Sequence, residues 1–86
     1  MNKENKYIKI VEVPHSGKTR GFEVWNKSGD YLIGEIEWYG AWRQYCFFPC
    51  EDMVFNSTCL ELIINFLKEI NIKHHSNWKQ KIQEEK

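Results

Sequence analysis

Six of the twelve residues from 38 to 49, WYGAWRQYCFFP, are aromatic, and one arginine stands among them. Trp38, Tyr39, Trp42, Arg43 and Gln44 together offer ring faces, a guanidinium and an amide within one short segment. Rings stack on a flat base, and the planar guanidinium fork pairs with phosphate or carboxylate. That is the inventory for holding a nucleotide-type ligand, and equally for gripping the edge of a protein. An arginine lying on a tryptophan face gains about 0.5–2 kcal/mol. An arginine that only packs its stem on a ring, with its head in water, carries no such task.

Other groupings are weaker. Cys46, Cys50 and Cys59 with His74 or His75 make up a Cys3His set, but the spacing of the first pair fits no common zinc knuckle. Cys59, at the start of a helical pattern, reads more simply as a small core residue, so no metal is expected. Glu35 and Glu37 project from one strand face and invite paired acid–base chemistry. Charge alternating along a strand is the ordinary mark of its solvated side. HSGKT, from His15, shares only the end of a phosphate loop, and no helix follows it. RQYCFF lacks the glycine that the RNA-recognition signature needs. No nucleophile–base pair can be named, so the expectation is a protein that is not an enzyme and uses no cofactor.

Composition bounds the partners. Twelve basic residues balance twelve acidic ones. A neutral chain has no global field drawing it to nucleic acid or to an anionic membrane, and neither is expected as a partner. The 15% aromatic share supports a folded domain. A domain of 86 residues buries only about 60–65% of its unfolded surface, so each large side chain counts. Three cysteines, an odd number, argue against a disulfide framework. The first dozen residues hold no apolar run of signal-peptide length. The longest apolar region, CLELIINFLKEI, is broken by charge and too short to span a bilayer. The expected location is the cytoplasm, that of the host cell if the protein is phage-encoded.

The elements that position these residues follow from periodicity. The polar MNKENK is expected to fray. Tyr7 to Val13 reads as a first strand, Phe22 to Lys27 as a second with Phe22 and Val24 on one face, and Tyr31 to Tyr39 as a third. Gly40-Ala41 fits a two-residue type II′ turn into a fourth strand that Pro49 ends. That register sets Trp38 opposite Arg43, Ile36 opposite Tyr45 and Gly34 opposite Phe47. One face then carries Leu32, Gly34, Ile36, Trp38, Arg43, Tyr45 and Phe47, with Phe47 covering the bare backbone of Gly34. The other carries Ile33, Glu35, Glu37, Tyr39, Trp42, Gln44, Cys46 and Phe48. A helix from Thr58 to Ile70 follows, opened by a Thr58–Glu61 capping box with Ser57 as competing cap, and closed at Asn71.

The expected fold class is α+β: a four-stranded antiparallel sheet with one C-terminal helix packed on one face. Residues 1–72 form the single domain. Residues 73–86 form a polar tail, partly helical or disordered, in which a short extra helix would set Trp78 and Ile82 one turn apart. The helix cannot cover the second sheet face, so Ile33, Tyr39, Trp42 and Phe48 are expected to form an interface, building a homodimer or higher homo-oligomer.

GEIEWYGAWRQYCFFP followed by VFNSTCLELIINFL resembles small proteins common in phage and prophage genomes. These carry a W-Y-x-x-W-R-x-Y-x-F-x-P core and then a cysteine–leucine helix start. The resemblance runs from Leu32 to Leu67 and implies a mobile-element origin. As a class, short phage proteins act as inhibitors or sponges toward host factors or nucleotide-type immune signals. Two expectations follow. One is a non-catalytic binder that sequesters a nucleotide-type ligand through Trp38, Tyr39, Trp42, Arg43 and Gln44, as a counter-defence sponge. The other is an antagonist that docks its open sheet face on a host protein.

Overall fold

The computed structural model describes residues 2–15 and 17–84, with side chains as far as His75. Strands β1 (Lys3–Glu4), β2 (Ile8–Val13), β3 (Gly21–Asn26), β4 (Leu32–Tyr39) and β5 (Gln44–Pro49) lie side by side in chain order, and helix α1 (Ser57–Glu84) follows. All neighbours are antiparallel. The α+β class and the helix on one sheet face are as expected, but the sheet has five strands rather than four.

The added strand comes from the segment expected to fray. Lys3 pairs with Ile10 and Glu4 with Lys9. Polar contacts rather than a buried apolar face hold it: Lys3 pairs with Glu69 of α1 and Glu4 with Lys27, and side-chain amides fix the turn that follows. Asn5 Oδ1 accepts hydrogen bonds from the Tyr7 and Ile8 N–H groups at 2.8 and 2.9 Å, an Asx turn that reverses the chain into β2. The Asn5 amide also donates to the Thr58 carbonyl at 3.2 Å, tying this turn to the helix start.

The core forms where the two periodicities meet. Ile8 and Ile10 on β2, Phe22 and Val24 on β3, Ile36 on β4 and Tyr45 on β5 are buried against Cys59, Ile63, Phe66 and Ile70 of α1. Phe22 meets Phe66 edge-to-face, with ring centroids 4.8 Å apart. The helix cap is Asn56 rather than Ser57 or a Thr58–Glu61 box. Asn56 Oδ1 accepts from the Cys59 N–H at 2.8 Å, and its carbonyl accepts from the Leu60 N–H at 3.0 Å.

The helix also does not end at Ile70, and Asn71 does not cap it. No glycine or proline stands between Ser57 and Glu84 to stop it. The Asn71 side chain serves the sheet instead. Its Oδ1 accepts from the Tyr45 N–H at 2.7 Å, and its Nδ2 donates to the Tyr45 carbonyl at 3.2 Å. The amide thus occupies the outer edge of β5, where a further strand would bind. α1 passes through the expected boundary after residue 72 without a break, as one helix rather than two. The Trp78–Ile82 pairing lies outside the described side chains.

Two irregularities reset the sheet faces. The β4–β5 connection is a four-residue loop, Gly40 to Arg43, not a type II′ turn. Arg43 takes the left-handed conformation with φ 51°, and the Arg43 N–H donates to the Gly40 carbonyl at 3.3 Å. Trp38 therefore pairs with Tyr45 and Ile36 with Phe47, two residues away from the expected register. A shift of two preserves every face, so Trp38, Tyr45 and Phe47 still point toward the helix, while Arg43 leaves the ladder. The second irregularity is a bulge: Val24 pairs with Gly34 and Trp25 with Leu32, leaving Ile33 as the extra residue. Ile33, expected at an interface, is buried in the core at 3% exposure, while Leu32, expected in the core, is only half-buried.

Candidate ligand-binding site

The edge of the core beside the Gly40–Arg43 loop gathers polar groups around a ring. Trp38 and Tyr45 meet edge-to-face at 5.4 Å, as cross-strand neighbours of β4 and β5. His74 comes from α1 to both, 4.6 Å from the Trp38 ring and 5.8 Å from Tyr45. Beside them lies a cavity of about 520 Å³ lined by Trp38, Arg43, Gln44, Asn71, His74 and His75. Three of the five residues expected to bind a ligand are brought together here. The other contributors come from α1, where His74 follows Phe66 and Ile70 at intervals of four. Extending that period past Ile70 would have found it.

The expected stacking of Arg43 on Trp38 is replaced. The ring contact on Trp38 belongs to His74. The loop carries Arg43 out of the ladder to the cavity wall, where its guanidinium has no hydrogen bond or ion pair among the described residues. The guanidinium set over a core ring is that of Arg20, 5.2 Å from the centroid of Phe22.

Tyr39 and Trp42 part from the other three. Strand alternation sends Tyr39 to the uncovered face, where it lies 5.1 Å from the Trp42 ring and 6.0 Å from Phe48. Tyr39 and Phe48 are each 37% exposed and Trp42 is 67% exposed, so this cluster presents apolar surface to solvent. Trp42 also lines a second cavity of about 550 Å³ between β5 and α1.

An ion pair that no motif announced closes the far side of this end of the core. Arg20 Nε and Nη2 donate to the two carboxylate oxygens of Glu12 at 2.8 and 2.6 Å, and the Arg20 backbone N–H donates to the Tyr45 hydroxyl at 3.0 Å. The hydrogen bonds from Arg20 hold the Glu12 carboxyl down from its ordinary 4.5 to about 2. A carboxylate whose folded value is depressed adds stability that is complete above pH 4.5 and is lost as pH falls toward 2. Solvent reaches the pair, with Arg20 39% and Glu12 33% exposed, so its contribution at pH 7 is about 1 kcal/mol. Urea unfolding of wild type and Glu12→Gln should differ by that amount at pH 7, and the difference should shrink on acidification to pH 2. A pH-independent difference would assign the effect to packing.

The remaining groupings stay apart. Cys59 is buried in the core, and the Cys46 thiol donates to the Gln44 carbonyl at 3.8 Å. Among the described residues no three His, Cys, Asp or Glu side chains are grouped to hold a metal ion. Glu35 is exposed, opposite Glu23 on one side and Phe48 on the other. Among the described residues no helix is long and apolar enough to cross a membrane.

No protein-family profile matches the chain, and no solved structure matches it. It is similar to the "Uncharacterized 9.3 kDa protein" of Acholeplasma phage L2, with 33% identity over 69 residues. The match covers 79% of this chain and 88% of the phage protein, so it takes in at least part of the sheet and part of the helix rather than one motif. The chain belongs to the family of this phage-encoded protein.

Proposed function

We propose that the protein is a non-catalytic binder of a small nucleotide-type ligand, which it sequesters as a counter-defence sponge. The observation that carries this reading is the convergence of Arg43, Gln44, His74 and His75 beside Trp38 in one cavity of about 520 Å³. That volume lies within the usual range of small-molecule sites, about 300–1,000 Å³. An arginine with no ion pair among the described residues, held at the wall of such a cavity, suits an anionic ligand group. Kinship with a phage-encoded protein supports the mobile-element setting.

The test is a paired measurement on wild type and Arg43→Gln. Arg43 has left-handed backbone, and glutamine bears the same conformational cost there, so folding should change little. Loss of a charge-assisted contact should weaken binding about tenfold to a hundredfold, equivalent to about 1.5–3 kcal/mol. The thermal midpoint reports folding, and calorimetry with cyclic nucleotides and ADP-ribose-type ligands reports binding. A variant that binds them as tightly as wild type would place the site elsewhere.

A second reading, docking on a host protein or a second copy, is favoured by the solvent-facing Tyr39–Trp42–Phe48 cluster. Native mass spectrometry of protein purified from cells separates the two, because it reports oligomeric state and any retained small molecule together. A stable interface of the standard kind would bury about 1,600 Å².

A further inference from the structure

The polar cavity does not stand alone. Gln44 and Asn71 line both it and the second cavity, of about 550 Å³, between β5 and α1. That second cavity is walled by Trp42, Phe47, Ile64, Leu67 and Ile72, with Lys68 the one charged residue lining it among the described residues. The amides of Gln44 and Asn71 thus stand between a cationic compartment and an apolar one. Asn71 is fixed, since both ends of its amide are bonded to the Tyr45 main chain. The Gln44 side chain makes no hydrogen bond among the described residues and is exposed between the two. The apolar compartment is open to water: Trp42 is 67%, Ile72 65% and Ile64 48% exposed.

We infer that the two cavities are one bipartite nucleotide site. The phosphate end lies with Arg43, His74 and His75, and the base lies in the apolar compartment against Trp42, with Gln44 bonding the base edge. This rests on the ligand-binding reading above and adds to it which part of the ligand goes where. A flat base uses both a large exposed indole and a free amide, because it has a face to stack and an edge to hydrogen-bond. A fatty acid, the other common molecule with an anionic head and an apolar body, has no edge for the Gln44 amide to recognise. Covering Trp42, Ile64 and Ile72 also removes three exposed apolar side chains from water.

Calorimetry on the full chain tests the inference with ADP, GDP and UDP, their nucleosides, inorganic pyrophosphate, and laurate. At least one nucleoside diphosphate should bind tenfold or more tightly than both its nucleoside and pyrophosphate. Trp42→Ala should weaken diphosphate and nucleoside about tenfold while leaving pyrophosphate unchanged. Arg43→Gln should weaken diphosphate and pyrophosphate while leaving the nucleoside unchanged. Trp42 is largely exposed, so an unchanged thermal midpoint separates lost stacking from lost fold. A diphosphate that binds no tighter than pyrophosphate, or that ignores Trp42→Ala, overturns the bipartite site and leaves the polar cavity standing. Laurate binding in preference to every nucleotide overturns the nucleotide assignment. Failure of every probe overturns the inference together with the reading it rests on.

Discussion

Phe66→Ala should bring the domain close to unfolding. Phe66 is 2% exposed and is the ring through which α1 grips the sheet, edge-on to Phe22 at 4.8 Å. Truncating a buried phenylalanine costs about 3–5 kcal/mol, the lost transfer energy plus the cavity left behind. Total stability of natural domains is about 5–15 kcal/mol, and small ones fall toward the lower end. Each kcal/mol moves the melting midpoint of a domain this size by about 4–8 °C, so a fall of roughly 15–30 °C is expected. Phe66→Leu keeps most of the volume and should cost about 1.5 kcal/mol. Circular dichroism through a urea titration measures both. A Phe66→Ala protein within 1 kcal/mol of wild type would mean the helix is not seated on β3 as described.

This packing was legible because burial leaves a period in the sequence. On the sheet, Ile8 and Ile10, Phe22 and Val24 alternate. On the helix the apolar spacing centres on Leu60, Ile63, Ile64 and Leu67, widened by Cys59, Leu62, Phe66 and Ile70. The buried face, however, is Cys59, Ile63, Phe66 and Ile70, and Leu60 and Ile64 are exposed. What escaped was held by groups that leave none. β1 is two residues long and depends on the Asn5 amide, so no apolar pattern announces it. The apolar pattern stops short of the true helix end because the next ring contact after Ile70 is His74, an imidazole rather than an aliphatic side chain. The bulge at Ile33 had a faint signal in the lone glycine beside it, since glycine within a strand often marks one.

The site followed the same logic. Trp38, Arg43 and Gln44 read as a group because they are close in the chain, and the loop keeps them close in space. Tyr39 is next to them in sequence but not in space, because strand alternation turns adjacent residues to opposite faces. The Arg20–Glu12 pair joins a loop end to a strand, and neither residue type carries information about the other.

Gly34→Ala should destabilise the protein by about 3 kcal/mol, the upper part of the range for forcing atoms into a packed site. A Cβ built on Gly34 would stand 2.5 Å from Cε1 and 2.6 Å from Cζ of Phe47, and 2.9 Å from the Phe48 carbonyl oxygen. A ring alone would swing aside at modest cost. The carbonyl belongs to β5, so relief on that side requires the strand to move. Phe47 reaches Gly34 diagonally, because its cross-strand partner is Ile36. Diagonal neighbours on one sheet face lie within reach of an aromatic side chain. The cover expected from sequence is therefore present although the register that suggested it was two residues off, for a slip of two leaves the ring on the same face. A double-mutant cycle isolates the contact. In a Phe47→Ala background the penalty of Gly34→Ala should fall to about 1 kcal/mol, the part due to the carbonyl, within the usual cost of mild overpacking. An equal penalty in both backgrounds would show that the ring does not lie over the glycine. Movement of β5 also moves the Gly40–Arg43 loop at its start, so Gly34→Ala protein that remains folded at low temperature should bind anionic ligands less tightly than wild type.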